Sequence, residues 1–388
     1  MKKILVVPFI IWNLHAQNFD KFMQNALQNS PYLKANALNI ERANEESKII
    51  QRYKNPSLSL EASKFNPDVG NSASGYRGAF SQPVRLWGIG DAREQLGIVM
   101  KEEANSLTKL KRTEFIRDLS LLYINYSKQS EIVILAKEEL KIAQKISNIT
   151  KERYRAGTIA KSRYLLSKVD TLSAENILNE KEAEKFSSYS RLLAFAGIAD
   201  EIELDYHHEF ILSHKINLQN SAKLHYLKNS QIKAEKETEL NSNKIEWIDI
   251  YAEYEKKPNQ KIARLGVDIP LAIFNTKTEE KRIASLKVKQ SKYLIKNQQI
   301  RLSHKLMRIN SELKILQKVL ISTKKLYASQ KELLKMYEDG YKIANINLIE
   351  LQNIKNKMIK TRETEISLKT KIDINIVLYN YETGEYNE

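Results

Sequence analysis

The side chains best suited to chemistry in this chain are histidines near its middle. Four of them lie close together, with two carboxylates beside the first pair: His207, His208, His214, His225, Asp205 and Glu209. Imidazole and carboxylate groups bind metals, but this spacing matches no standard ligand motif. We therefore expect exposed loop histidines and no metal site, although the sequence leaves metal binding by His207, His208 and His214 open.

Other reactive chemistry is poorly represented. The 388 residues include no cysteine, which excludes disulfides, zinc-thiolate sites and thiol nucleophiles. No glycine-rich phosphate loop follows a strand pattern, and no Gly-x-Ser-x-Gly elbow occurs. The sequence predicts a protein that is not an enzyme and that has no cofactor.

The charge balance is basic. Lysine and arginine total 63 against 47 acidic residues, which gives a formal net charge of +16. The basic residues are spread along the chain among acidic ones, a pattern typical of the solvated faces of long helices. We therefore expect no nucleic-acid partner. A basic coiled-coil scaffold that binds nucleic acid remains the alternative from a different functional class.

The N-terminus has the pattern of an export signal. Lys2 and Lys3 precede an apolar run from Ile4 to Trp12, and the small residue Ala16 precedes a mature start at Gln17. The run is well short of the roughly 20 residues that a membrane-spanning helix needs. Residues 1–16 are thus predicted to be a signal peptide.

Glycine and proline, the main helix breakers, are nearly absent from two long segments. The only glycine in residues 98–196 is Gly157, and the only one in 267–383 is Gly340; proline occurs in neither segment except Pro270. Each segment predicts two long helices joined at one glycine turn. The predicted helical hairpins cover residues 91–197 and 277–382.

These helices need partners. A helix from Asp91 to Arg153 would be roughly 90 Å long at 1.5 Å per residue. Apolar residues recur along it at three- and four-residue steps, as in Leu107, Leu110 and Leu119. A stripe of that length cannot be buried in an ordinary globule, so it predicts a coiled coil.

Alternating polar and apolar residues precede each helical segment and predict two β-hairpins. In the second hairpin Ile248, Ile250 and Ala252 share one face, while Asp249 and Glu253 share the other. Strands of nine to eleven residues with this alternation are typical of outer-membrane barrels, although soluble hairpins share it. The predicted strands are 57–65, 76–84, 246–254 and 262–270.

The two halves of the chain match in order, which indicates a duplicated subdomain. The residue-number offset is 200 for Leu27 and Leu227, 187 for Pro83 and Pro270, and 183 for Leu165 and Leu348. Tyr154 to Gly157 likewise matches Tyr337 to Gly340. The predicted organisation is a first repeat at 17–200, an equatorial connector at 201–220 and a second repeat at 221–388.

On these features the sequence resembles the TolC-like outer-membrane efflux family, including its heavy-metal branch. The carrying segments are Ala26 to Pro31, Phe80 to Val84, Ile269 to Leu271, and the two Tyr-x-x-Gly turns followed by Leu165-Leu166 and Leu348-Ile349. The resemblance covers essentially the whole mature chain.

The resemblance implies a mainly α fold with a small β part. Each protomer of a homotrimer would give four strands to a 12-stranded β-barrel in outer-membrane lipid, and helices to a periplasmic tunnel. The implied function is the passive outer-membrane channel of a tripartite efflux pump in a Gram-negative bacterium, docked on a periplasmic adaptor protein and an inner-membrane pump. The exit duct of a type I protein secretion system is the alternative within this architecture.

The resemblance also implies site residues at the helix turns. The expected adaptor-docking tips are Tyr154, Arg155, Gly157, Thr158, Tyr337, Asp339, Gly340 and Tyr341. Both glycines are expected to supply positive φ angles. Asn347 and Glu350 match the Asp-x-x-Asp pattern that narrows the entrance in several family members, and Ser167 stands at the place of Glu350 in the first half.

Overall fold

The computed structural model describes residues 17–66, 68–213 and 220–387, and it confirms the predicted fold class. The predicted signal peptide lies outside these residues. The first half contains α1 (Phe19–Asn29), α2 (Pro31–Gln51), β1 (Ser57–Phe65), β2 (Ala73–Arg85), α3 (Ile89–Arg155) and α4 (Lys161–Ala196). The second contains α5 (Ala222–Asn241), β3 (Trp247–Lys257), β4 (Gln260–Asp268), α6 (Thr278–Lys342), α7 (Leu348–Thr383) and a 3-10 turn, Glu385–Asn387.

The long helices form because their interiors lack proline, and they end where the backbone turns left-handed. Helices α3 and α6 have 67 and 65 residues, and α4 and α7 have 36 each. Gly197 (φ 76°) ends α4 and Gly384 (φ 84°) ends α7, each donating its N–H to a carbonyl of the last turn. None of the described helices is both long and apolar enough to cross a membrane.

The four strands form one antiparallel sheet in the order β1-β2-β3-β4. Its register places Leu60 opposite Gly78, Phe80 opposite Ala252, and Ala252 opposite Leu265. Because side chains alternate between faces, one face is apolar and exposed, and the other carries charges and hydroxyls. Leu60 and Leu265 are 76% and 87% exposed, so the apolar face is uncovered in the single chain.

The sheet is fixed to the end of α2 by one arginine that the sequence patterns did not indicate. The Arg85 guanidinium donates hydrogen bonds to the carbonyls of Gln51 (3.3 Å) and Arg52 (2.8 Å). It also lies 4.6 Å from the Tyr53 ring centroid and 4.7 Å from that of Trp247. A cation at the carbonyl end of a helix is favourable to the helix dipole, and the flanking rings add cation–π attraction.

The structural repeat follows a constant offset after the sheet. Helix α4 begins at Lys161 and α7 at Leu348, a difference of 187 (348 − 161). The capping glycines at 197 and 384 differ by the same 187, as do Pro83 and Pro270. The predicted match of Leu165 with Leu348 is therefore wrong by four residues. A four-residue slip is about one helical turn, so it preserves the pattern of faces and is hard to detect from sequence.

The match that the sequence predicts nearest the N-terminus, Leu27 with Leu227, also differs from the structural offset. Helix α2 ends at Gln51, six residues before β1, and α5 ends at Asn241, six residues before β3. The equivalent helices are thus offset by 190 (241 − 51), so the predicted match of Leu27 with Leu227, at 200, is wrong. The change from 190 to 187 lies in the hairpins, where β1 and β2 have the longer connection.

The described chain divides into two compact units. One contains residues 17–35, 111–213, 220–221 and 302–387, and therefore both helix turns and the described part of the connector. The other contains residues 36–110 and 222–301, and therefore the whole sheet. Each unit includes residues from both sequence repeats.

The caps allow a stability test with a matched control. A Cβ at Gly197 would approach the Pro31 ring to 2.6 Å, whereas a Cβ at Gly88, which has nearly the same φ (77° against 76°), would meet nothing within 4 Å. We expect Gly88→Ala to cost about 1–2 kcal/mol through left-handed strain alone, and Gly197→Ala to cost more. Thermal unfolding followed by circular dichroism measures both; equal shifts would contradict the Pro31 clash.

Candidate docking site

The first helix turn, between α3 and α4, is closed by backbone hydrogen bonds around Gly157. The Gly157 N–H donates to the Tyr154 carbonyl (2.9 Å), and the Thr158 N–H donates to the Arg153 carbonyl (3.0 Å). Gly157 has φ 73°, and no atom would obstruct a Cβ there. The glycine is therefore required for its backbone conformation, as predicted.

The second turn has the same hydrogen bonds but not at the predicted glycine. The Ala344 N–H donates to the Tyr341 carbonyl (3.4 Å), and the Asn345 N–H donates to the Gly340 carbonyl (3.0 Å). The left-handed residue is Ala344, with φ 68°. Gly340 lies inside α6, and the prediction that it supplies a positive φ is wrong. A Cβ at Gly340 would lie 2.7 Å from the Ile346 side chain, so this glycine makes room for the returning chain.

The predicted contact residues divide into exposed and buried groups. Arg155, Thr158 and Asp339 are exposed, and Tyr154 is 37% exposed and stacks on Tyr164 with ring centroids 5.7 Å apart. The Lys342 ammonium, 2.8 Å from the Asp339 carboxylate, lowers the pKa of Asp339.

Two of the predicted tyrosines have packing roles. Tyr337 is partly buried against the apolar cluster around Leu334 and Leu351. Tyr341 is only 2% exposed, so its side chain is not available to a partner in this arrangement. With the 187 offset, Tyr341 and not Tyr337 is the counterpart of Tyr154 (341 − 154).

Tyr341 instead joins the two turns. The Arg153 guanidinium donates a 2.7 Å hydrogen bond to the Tyr341 carbonyl and lies 4.7 Å from the Tyr341 ring centroid. The Tyr341 hydroxyl is 3.2 Å from Thr150 Oγ1. A second bridge, 2.6 Å long, joins Lys145 to Glu338. Because these contacts connect α3 to α6 near the helix turns, they hold the ends of the two helices together.

A buried ammonium group joins three of the same helices. Lys355 of α7 is 1% exposed, and its Nζ lies 2.8 Å from both carboxylate oxygens of Asp170 and 3.8 Å from Glu139. Burial raises the pKa of Glu139, and the Lys355 charge opposes that rise. Removing one member of such a buried group costs about 3–5 kcal/mol, because a charge is left without its partner.

A recess of about 360 Å³ lies between the two turns, and we call it the tip recess. Two arginines, one glutamate and two asparagines line it: Arg153, Arg163, Glu350, Asn345 and Asn347. The buried Tyr341 also contributes to its wall. The predicted entrance residues Asn347 and Glu350 line this recess, and of the predicted docking residues Tyr341 lines it as well.

Asn347 has a structural task in this site. Its side-chain Oδ1 accepts a 3.0 Å hydrogen bond from the Glu350 N–H and caps the first turn of α7. An aspartate in the same place would accept the same bond. The departure from the Asp-x-x-Asp pattern therefore removes a charge but preserves the helix cap.

Glu350 is exposed in the first turn of α7. With the 187 offset its counterpart is Arg163 (350 − 163), not Ser167 as predicted. Ser167 is 1% exposed and donates a hydrogen bond to the Tyr164 carbonyl. The two halves consequently place opposite charges, Arg163 and Glu350, at equivalent positions of one recess.

The histidines within the described residues do not form a metal-binding group. The His207 ring is 3.1 Å from Asp205 Oδ1, and His208 packs among aromatic rings, 4.6 Å from the centroids of both Phe19 and Phe210. Burial lowers the pKa of His208. Among the described residues no group of three or more potential ligands could hold a metal ion; His214 lies outside them.

Tyrosine hydroxyls hold the connector instead. Tyr123 donates to the Asp205 carbonyl (2.8 Å), Tyr126 to the Leu204 carbonyl (3.2 Å) and Tyr189 to the Ile202 carbonyl (2.6 Å). These bonds satisfy backbone groups that have no strand neighbour on that side. Nothing in the sequence patterns indicated them.

The chain is similar to known proteins over most of its length. Residues 22–197 match the family model described as outer membrane efflux protein. No curated protein matches the sequence. Among solved structures, the outer-membrane channel OprN superposes with a TM-score of 0.80 at 12% identity, covering 95% of this chain and 90% of that chain.

Two further channels are similar. VceC of Vibrio cholerae gives a TM-score of 0.78 at 12% identity, covering 94% of this chain and 95% of its own. CmeC of Campylobacter jejuni gives 0.77 at 14% identity, covering 94% and 85%. At these identities the likeness establishes a shared fold.

The unequal caps of the two turns give a paired prediction. Ala160 caps α4 with φ −71° and ψ 151° but makes no side-chain bond, whereas Asn347 caps α7 with nearly the same backbone angles, φ −89° and ψ 160°. We expect Asn347→Ala to destabilise and Ala160→Asn to stabilise, each by about 1 kcal/mol. Thermal unfolding of both variants tests this; a shift of the same sign in both contradicts it.

The contribution of Asp373 to the stability of the fold is expected to depend on pH. Burial, with Glu131 and Glu209 nearby, raises its pKa from 3.8 to about 7, against the opposing charge of Lys369. A folded-state pKa above the unfolded value means that this group stabilises the fold at low pH. That contribution is lost as the pH rises from about 3.8 to about 7.

We expect Asp373→Asn to remove this loss. The variant should match the wild type at the acidic end of that range and exceed it in thermal stability above pH 7. The readout is the difference between the two unfolding midpoints as a function of pH, because other titrating groups cancel in it. A difference that does not change with pH contradicts the prediction.

Proposed function

We propose that this chain belongs to the outer membrane efflux protein family, whose model matches residues 22–197, and that it is the channel component of a tripartite efflux pump. Membership would place it in the outer membrane of a Gram-negative bacterium, with the helical part in the periplasm. The duct would be passive. Transport energy would come from an inner-membrane pump reached through a periplasmic adaptor.

The observation that carries the proposal is the amphipathic sheet. Its apolar face is exposed along every strand, with Leu60, Phe80, Tyr254 and Leu265 between 43% and 87% exposed. A soluble protein rarely leaves so continuous an apolar face in water. Contact with lipid on that face, and with water on the charged face, satisfies both sides.

An exposed apolar stripe on α6 supports an assembly of several copies. Along α6 a second apolar stripe, separate from the buried one, recurs at seven-residue steps through Leu286, Tyr293, Ile300 and Met307. All four side chains are more than half exposed. A seven-residue apolar repeat is the pattern of a coiled-coil seam, and neighbouring protomers of a homotrimer are the partners we propose for it.

Docking of the adaptor at the helix tips is supported by what the turns expose. Arg155 at the end of α3, Thr158 in the first turn and Asp339 in the last helical turn of α6 are exposed polar residues. The Arg153 and Tyr341 contact keeps the loops together. We propose that the adaptor binds this surface and that the tip recess receives part of it.

The functional test begins with the deletion strain, complemented by variants. Without the gene we expect higher sensitivity to exported toxic compounds, and complementation should restore resistance. Loss of a secreted protein, with resistance unchanged, would instead favour the type I secretion duct.

Arg155→Glu tests docking at the tips. We expect lower resistance and less adaptor captured by chemical cross-linking, with normal amounts of channel in the outer membrane. Arg191→Glu, an exposed arginine near the other end of α4, is the matched control and should behave as wild type. Full resistance in a series of charge reversals at Arg155 and Asp339 would exclude the tips as the docking surface.

A further inference from the structure

The middle of the connector crosses from α3 to α7, and we call its residues 206–211 the strap. At the start of the strap, the Ser127 hydroxyl of α3 donates a 2.6 Å hydrogen bond to the Tyr206 carbonyl. At its end, the Asn380 side chain of α7 donates a 2.8 Å hydrogen bond to the Ile211 carbonyl. The strap therefore connects a helix of the first repeat to a helix of the second.

A recess of about 560 Å³ lies between the strap and the helices, and we call it the strap recess. Three carboxylates line it: Glu131 from α3, Glu209 from the strap and Asp373 from α7. Helix α6 contributes the uncharged Leu320. The remaining charged or titratable side chains of the lining come from α3, the strap and α7: Lys128, Tyr206, His207, His208 and Lys369. Acidic groups from three separate elements thus meet at one recess.

Asp373 is the carboxylate of this recess that has neither a partner nor full contact with water. It is partly buried, and among the described residues its side chain makes no hydrogen bond or ion pair. Glu131 lies 4.0 Å from the Lys369 ammonium, and Glu209 is exposed. Burial and then the charge of Glu131 raise the pKa of Asp373 to about 7, against the opposing charge of Lys369. Ionisation of Asp373 is therefore unfavourable while the strap covers it.

The first repeat has an apolar side chain at the equivalent position. With the offset of 187, the counterpart of Asp373 is Phe186 (373 − 186). Phe186 lines a recess of about 570 Å³ between α3, α4 and the start of the connector. Leu320 and Val133 are equivalent as well (320 − 133) and line the second and the first recess respectively. The two recesses are thus repeats of one feature, and of the two only the second has an ionisable group at this position.

We propose that the strap is a proton-controlled connection between the two repeats, closed over its recess while Asp373 is protonated and opening more readily once Asp373 is ionised. A neutral Asp373 adds no charge beside Glu131 and Glu209, and its hydroxyl is a hydrogen-bond donor. An ionised Asp373 is a third carboxylate in a partly buried recess, where like charges disfavour one another. Opening gives these groups to water. The inference concerns the single folded chain, so it goes beyond the proposed function and does not depend on it.

The histidines of the strap do not supply this response. Burial lowers the pKa of His208, against the opposing charge of Asp20, so its ring is uncharged near pH 7, where Asp373 titrates. His207 is exposed and lies 3.1 Å from Asp205 Oδ1. A proton on His207 is therefore paired with a carboxylate outside the recess.

A thiol placed in the recess measures how often the strap opens, because the sequence has no other cysteine. Ile124 of α3 lines the recess and is 3% exposed, so Ile124→Cys should react with a maleimide only when the strap opens. The labelling rate is measured in the full-length protein in mild detergent, with Asp373 and with Asp373→Asn. The ratio of the two rates cancels the pH dependence of the thiol itself. Thr370→Cys on α7 is the second reporter, in case the first variant weakens the packing.

We expect the labelling rate with Asp373, divided by that with Asp373→Asn, to rise at least tenfold between about pH 5 and about pH 8. One proton released on opening changes the opening equilibrium by up to about tenfold for each pH unit. Asn380→Ala removes the hydrogen bond between the strap and α7, so it should raise labelling at both pH values. His207→Gln is the matched control for the strap histidines and should leave the ratio unchanged.

The outcomes decide the inference without reference to transport. A ratio that stays constant with pH in both reporters overturns it, and so does labelling that Asn380→Ala leaves unchanged. Ser167→Cys, a site on α4 that is 1% exposed and lies outside the recess, distinguishes local opening from global unfolding. An equal rise of the ratio at that site means that the whole fold opens, which also overturns the inference. A rise confined to the recess supports it.

Discussion

The sheet edges are the constraint on which the rest of the structure depends. Among the described residues, the four strands of the meander leave two outer rows of backbone groups without a strand partner, and the same strands expose an apolar face. No rearrangement within one chain of four short strands satisfies both conditions next to lipid. Association of several copies satisfies them together. It would also supply coiled-coil neighbours for the exposed stripe of α6, so the proposed barrel and the proposed tunnel would have the same physical cause.

Duplication explains why the two halves share one architecture. The halves differ in the side chains that they place at the helix turns. After the sheet the halves keep an offset of 187 through helix starts, turns and capping glycines. At equivalent positions, however, one half has Arg163 and the other Glu350, and one helix cap is Ala160 and the other Asn347. The tips are therefore alike in backbone and unlike in charge. An adaptor that contacts both turns of each protomer would meet two distinct surfaces.

The sequence predicted the elements well because their signals are local. Alternation located the strands, and the absence of breakers located the long helices. The turn was wrongly assigned to Gly340 because the sequence does not distinguish a glycine inside a helix from a glycine at a helix end. In addition, a shift of four residues keeps the same side chains on the same helical face. The hydrogen bonds that Arg85, Arg153 and Lys355 donate to distant parts of the chain were not predicted. They join residues distant in sequence, and long-range pairs leave no periodic pattern in a single chain.

We expect the folded protein to be an assembly of three copies in the outer membrane. Native mass spectrometry of the protein extracted from outer-membrane fractions in mild detergent tests it most directly. We expect one dominant species of three times the chain mass, which is 45.0 kDa for the full sequence and somewhat less after removal of the predicted signal peptide. A folded species of single-chain mass, recovered from the periplasm without detergent, would contradict it.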